Sequence, residues 1–175
     1  MRKCLEDSWE SEDIVAFKVD MSNAFNRVSR QAVLDECAFF FPELLPWVSW
    51  CYGSHTILWH PKGKISSQSG VQQGDPLGPM LFALVLRKLV FTIEADDDCV
   101  DLLLNAWYLD DGVLAGERSA VLRSLHLIEE LGPHLGLHIN LSKCQLFSRN
   151  GNSLFPIAVK SSILPNLDIL GAPIG

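Results

Sequence analysis

The residues best suited to chemistry are two adjacent carboxylates, Asp110 and Asp111, followed by Gly112. An apolar, aromatic stretch, Leu102 to Leu109, precedes them, and a second apolar stretch, Val113 to Ala115, follows. Both flanks read as strands, since aromatic and branched residues favour a pleated surface and each run ends near a glycine. Asp110-Asp111-Gly112 then reads as the tight turn of a hairpin. Asp and Gly are ordinary turn residues, so the tip alone carries little information. Adjacent acids at a strand end become a divalent-metal platform only with a third carboxylate. Asp20 meets that need, because it closes the dense apolar strand Ile14 to Val19.

If those strands are neighbours, three like charges converge at one edge of the sheet. Two unit charges about 4 Å apart cost about 4 kcal/mol at an effective dielectric near 20, so cations or protonation must relieve the cluster. Hard oxygen ligands select Mg²⁺, with Mn²⁺ as an alternative. Two such ions roughly 3.5–4 Å apart are suited to phosphoryl transfer.

The elements that must position these acids follow from periodicity and punctuation. Ser29 to Phe41 has helical spacing with Ser29 as N-cap, and Pro42 ends it. A second helix is expected from Glu43 to Tyr52, stopped by Gly53. His55–His60, the turn Pro61-Lys62-Gly63 and Lys64–Ser67 read as a hairpin. The loop Ser69 to Pro79 leads into a long apolar helix from about Met80 to Glu94. Asp96-Asp97-Asp98 reads as a solvated acidic loop. Arg118 to Leu135 is an amphipathic helix, and short apolar stretches with turns fill the chain from Leu137. The order suggests an α+β fold with a mostly antiparallel sheet and helices on one face, in a single domain over residues 1–175.

Composition narrows the class. Of 175 residues, 48% are hydrophobic and 20% charged, which suits a packed globular domain. Met80 to Ile93, the longest apolar candidate, is interrupted by Arg87-Lys88, so no membrane span is expected. Met1 to Asp7 turns acidic at once and is unlike a signal peptide. The five cysteines are scattered without a Cys-x-x-Cys, which argues for a reducing setting and against a zinc site. An intracellular location, cytoplasmic or nuclear, is therefore expected. His134 and His138 have i, i+4 spacing, but Pro133 and Gly136 break the helix that would pair them. With a net charge of −7, the chain has no basic stretch that would grip nucleic acid unaided.

Five blocks in order resemble the palm of a reverse transcriptase of the non-LTR (LINE-type) retrotransposon kind. They are Phe17–Asn26, Gly70–Pro79, Tyr108-Leu109-Asp110-Asp111, Gly136–Cys144 and Ile169–Gly175. Together they reach from about Ile14 to Gly175. The resemblance implies an RNA-directed DNA polymerase that adds dNTPs to a primer 3′-OH on an RNA template. Asp20, Asp110 and Asp111 would hold two Mg²⁺ ions (or Mn²⁺), with Asp20 and Asp110 as principal ligands and the Met21 carbonyl as a further one. Backbone N–H groups of Asn23 and Ala24 would meet the triphosphate. Phe25 falls at the steric-gate position, which favours deoxynucleotides. Gln73 and Gly74 would line the nucleotide and template pocket. Lys143 would approach the leaving pyrophosphate as acid or counter-charge. Leu170 and Gly171 would form the primer grip.

The same resemblance implies basic fingers before the first motif and a helical thumb after the last, and little of either is present. Template, primer and those further segments of the element are thus the expected partners. The alternative is an inactive transposon relic, or a domesticated domain that keeps only the palm fold.

Overall fold

A computed structural model describes residues 14–148 and the short strands 167–169 and 172–174. Strand β1, Ile14–Asp20, lies at the centre. Its odd-numbered side chains, Val15, Phe17 and Val19, are fully buried. They pack with Leu114 and Leu146 of neighbouring strands against Val33, Cys37, Leu81, Val85, Leu89, Leu125 and Ile128 from the helices. The even-numbered Ala16 packs in a separate cluster with Val113 and Ala115. A strand alternates its side chains between faces, so helices cover one face of the sheet and Asp20 belongs to the other.

The sheet has four strands in the order β4-β5-β1-β6, with β4 Leu102–Tyr108, β5 Asp111–Glu117 and β6 Gln145–Ser148. Every neighbouring pair is antiparallel. A separate hairpin joins β2, Thr56–His60, to β3, Gly63–Ser67. Strands β7, Leu167–Ile169, and β8, Ala172–Ile174, pair with each other. This is the α+β arrangement expected from the sequence, with helices on one face of an antiparallel sheet.

Helix α1 is a single turn, Ala24–Arg27, with no counterpart in the periodicity reading. Helix α2, Arg30–Phe40, begins where the Ser29 hydroxyl accepts the Ala32 N–H at 3.3 Å. Helix α3 covers Leu45–Tyr52, two residues later than expected, with Pro46 in its first turn where a missing N–H costs nothing. Helix α4, Gly78–Glu94, starts two residues earlier than expected for the same reason, now through Pro79. Its buried Leu81, Phe82, Val85, Leu86, Leu89 and Ile93 form one stripe. Helix α5, Arg118–Leu131, stops short of the expected Leu135. Pro133 cannot extend an α-helix, so Gly132–Leu135 tightens into a 3₁₀ turn that Gly136 closes at φ 75°. No described helix is long and apolar enough to cross a membrane.

Candidate functional site

The hairpin tip is set one residue earlier than the sequence suggested. Tyr108 pairs with Asp111, so Leu109 and Asp110 form the two-residue loop. Asp111 and Gly112 are strand residues of β5. The displacement has a local cause. Leu109 takes the left-handed conformation, φ 54°, which a short hairpin loop needs to match strand twist. Gly112 is needed for space instead: a Cβ there would lie 2.5 Å from ring atoms of Trp107, its cross-strand partner. The Trp107 ring is itself steered by its indole N–H donating to Asn105 Oδ1 at 2.8 Å.

The register of β1 against β5 sets Asp20 directly opposite Asp111. Directly opposed residues share a face, and the even positions of β1 lie away from the helices. Asp110 follows in the adjoining loop, so the three acids sit at one end of the sheet. All three are half-buried. No described residue is hydrogen-bonded or ion-paired to their side chains. Unpaired like charges held opposite one another are the donor set that a divalent cation would relieve. Among the described residues, however, no three of His, Cys, Asp and Glu are gathered as a ready-made metal cage. The backbone register supplies the Asp20–Asp111 pairing.

The backbone around Asp20 is secured from the fourth motif. Met21 bridges Ile139, with the Ser22 N–H donating to the His138 carbonyl and the Asn140 N–H to the Asp20 carbonyl, both at 2.8 Å. Neither bond uses the Met21 carbonyl, which suits its expected part as a ligand. The Asp20 N–H donates to Cys144 Sγ at 3.4 Å. Burial pushes the Cys144 thiol up, keeping it a neutral acceptor beside the carboxylate. The turn from Asn140 to Cys144 carries exposed Lys143 to this same edge.

The residues expected at the nucleotide site follow on. Asn23 is exposed and left-handed, φ 49°, and heads α1; Ala24 behind it is buried. The Phe25 ring is half-buried and stacks on core Phe82, with centroids 4.6 Å apart and planes 11° from parallel. Stacking fixes the ring, and the residue is only partly covered. Gln73 and Gly74 are exposed at the crown of the loop before α4. Leu170 and Gly171 lie outside the described residues.

Other candidates stay apart from the site. Asp96 accepts two bonds from Arg123 Nε at 3.2 Å and one from Nη2 at 2.7 Å, and caps the turn Asp97–Cys99 through the Asp98 N–H. That acidic run is a braced turn. His134 is exposed in the 3₁₀ turn, and no α-helix carries it together with His138.

Sequence reasoning missed Arg30, Tyr52 and the role of Asp75, which meet beneath the loop. Arg30 is buried, and burial holds its guanidinium below the usual arginine range. Its Nε donates to the Gly70 carbonyl at 3.0 Å and its Nη1 to the Ser67 carbonyl at 2.9 Å. Tyr52 donates to Asp75 Oδ2 and accepts the Gln72 N–H at 3.2 Å. Burial and the Asp75 bond push its phenol up to about 12. No local pattern announces these contacts, which bridge 20 or more residues.

The comparisons with known proteins agree with this geometry. Residues 2–172 match the family described as reverse transcriptase (RNA-dependent DNA polymerase). The chain belongs to that family. It is 31% identical over 141 residues to the retrovirus-related Pol polyprotein from the type-1 retrotransposable element R2 of Bradysia coprophila. That alignment covers 74% of this chain and 16% of the polyprotein, so the match agrees with the non-LTR kind of element the motifs resemble. In fold the chain is similar to apo telomerase from Candida tropicalis (TM-score 0.70, 15% identity, 99% of this chain and 33% of that one). It is likewise similar to telomerase from Candida albicans, solved with a fragment of telomeric RNA (TM-score 0.69, 14% identity, 98% of this chain and 32% of that one).

Proposed function

We propose that this reverse-transcriptase-family chain is the palm of an RNA-directed DNA polymerase of a LINE-type element, joining dNTPs to a primer 3′-OH on an RNA template. The observation that carries the reading is the Asp20–Asp111 register, with Asp110 in the adjoining loop and no cation of the described chain paired to any of them. Asp20 and Asp110 would be the principal ligands of two Mg²⁺ ions, with Asp111 and the Met21 carbonyl completing the oxygen set. When bound, the ions would activate the primer hydroxyl and balance charge at the transferring phosphorus.

The remaining residues orient and select. Asn23 and Ala24 would offer backbone N–H groups to the triphosphate. Phe25, held on Phe82, would occupy the space of a ribose 2′-OH; a stacked ring in a packed site cannot move aside without breaking contacts. Gln73 would supply a donor and an acceptor to the nucleotide and template, and Gly74 a close backbone approach. Lys143 would meet the departing pyrophosphate. Leu170 and Gly171 are assigned to the primer end by their motif alone. Template-gripping surfaces would come from other segments of the element, in keeping with a net charge of −7. An intracellular setting, cytoplasmic or nuclear, suits this chemistry.

The test is Mn²⁺ titration of the chain by calorimetry, repeated with Asp110→Asn. Loss of a ligand should weaken binding by roughly tenfold or more, since even outer partners of metal sites contribute that much. Equal affinity in the two proteins would remove the metal platform and leave a relic that keeps only the fold. Primer extension on an RNA template with Mg²⁺ and dNTPs should yield little full-length product from these residues alone.

A further inference from the structure

The loop from Gln68 to Leu77 has no regular secondary structure, yet its backbone is pinned on both sides of its crown. On the entering side, the Gly70 N–H donates to the Val28 carbonyl and the Val71 N–H to the Phe25 carbonyl, both at 2.8 Å. Gly70 has φ 74°, and a Cβ there would meet the backbone of Phe25 and Asn26, so only glycine lets the loop sit this close to α1. From below, Arg30 fixes the Gly70 and Ser67 carbonyls and donates through Nη2 to Ser67 Oγ at 2.8 Å. On the leaving side, Tyr52 holds both the Gln72 N–H and the Asp75 carboxylate. Asp75 Oδ1 accepts the Leu77 N–H at 2.9 Å, securing the entry to α4. Between these clamps only Gln73 and Gly74 project freely, Gly74 at φ 91°.

We infer that Arg30 and Tyr52 are positioning residues that set where Gln73 and Gly74 stand relative to the incoming nucleotide, with Asp75 as the acceptor that completes the clamp. The inference rests on the nucleotide role proposed above for the loop crown. Neither side chain touches the reacting groups. They act through the loop, which is tied in turn to the helix that follows Asp20 and Met21. A carbonyl or amide released from the clamp can seek water, and the crown then samples positions that no longer fit a nucleotide.

The experiment uses the full chain with Mn²⁺ and a fluorescent dATP analogue, alongside amide hydrogen exchange. Tyr52→Phe keeps the buried ring and removes one hydroxyl, and Arg30→Lys keeps the charge and loses the fork. Each should weaken dATP binding on the order of tenfold, the effect of one lost buried partner. Mn²⁺ affinity should stay unchanged, and exchange at the Gln72 amide should accelerate. A solely structural role would lower thermal stability without separating nucleotide from metal affinity. Wild-type dATP affinity in Tyr52→Phe, or an unaltered Gln72 amide, overturns the inference. Failure of the unsubstituted chain to bind dATP overturns the nucleotide role itself and the inference with it.

Discussion

The chain carries two acidic runs, Asp96-Asp97-Asp98 and Asp110-Asp111, and the fold treats them in opposite ways. The first is answered by a cation on the chain: the Arg123 guanidinium forks onto Asp96, which also caps its own turn. Asp98 remains on the surface with a side chain 82% exposed. The second is answered by a third acid. β1 sets Asp20 opposite Asp111, and no described side chain neutralises the group. Runs that look alike in composition are thus separated by what stands across from them. Charge met by opposite charge stabilises a turn; charge met by like charge costs stability unless a cation or protonation relieves it.

The contrast is broken most directly by metal titration of matched variants. Asp20→Asn and Asp110→Asn should each weaken Mn²⁺ binding by roughly tenfold or more. Asp97→Asn and Asp98→Asn should leave it unchanged. Equal losses from both runs would mean that diffuse negative charge, not the register at β1, attracts the ion.

A second substitution strikes at the register without altering any charge. Gly112→Ala places a methyl against the Trp107 ring, with little room on that face of the hairpin. Overpacking of this kind costs about 1–3 kcal/mol. Because Trp107 pairs with Gly112 beside the Tyr108–Asp111 closing pair, the displaced ring should also shift Asp111 against Asp20. Chemical denaturation should register the cost, and Mn²⁺ affinity should fall with it. Wild-type metal affinity at lowered stability would separate the register from the site.

How much of this was legible in the sequence depends on range. Strand β1, the β2–β3 hairpin and the long helix α4 were visible because local periodicity and Gly or Pro punctuation specify them. Asp20, Asp110 and Asp111 were legible as acids at strand ends, since their flanks mark the strands, and the fold sets Asp20 opposite Asp111. The residue that turns the hairpin was not, because the turn depends on the left-handed Leu109 and on the Trp107 ring over Gly112. Helix α1 was too short for periodicity. Arg30 and Tyr52 look like unremarkable helix residues, and their meaning appears only when the fold brings distant carbonyls to them. Motif resemblance assigned Gln73 and Gly74 a role while leaving unseen the clamp that holds them.

Smaller effects test the sign of each acidic run in the metal-free protein. Asp111→Asn removes a like charge directly opposite Asp20, a pairing that disfavours the sheet by roughly 0.2–1 kcal/mol. The variant should be slightly more stable than wild type by thermal denaturation in chelator, and less responsive to Mn²⁺. A destabilised variant would mean that Asp111 has a favourable partner within the fold.

The Asp96–Arg123 pair should behave in the reverse sense, with a pH signature. The guanidinium bond holds the Asp96 carboxyl below the usual carboxylate range. A depressed carboxylate contributes stability above its unfolded value, about 3.9, and loses that contribution as pH falls through its folded value. Arg123→Ala should therefore lower the melting temperature slightly at pH 7, and the gap to wild type should narrow as the pH drops below about 4. A gap that stays constant down to pH 2 would assign the loss to packing of the arginine stem, and Asp96 would no longer count as a carboxylate answered by charge.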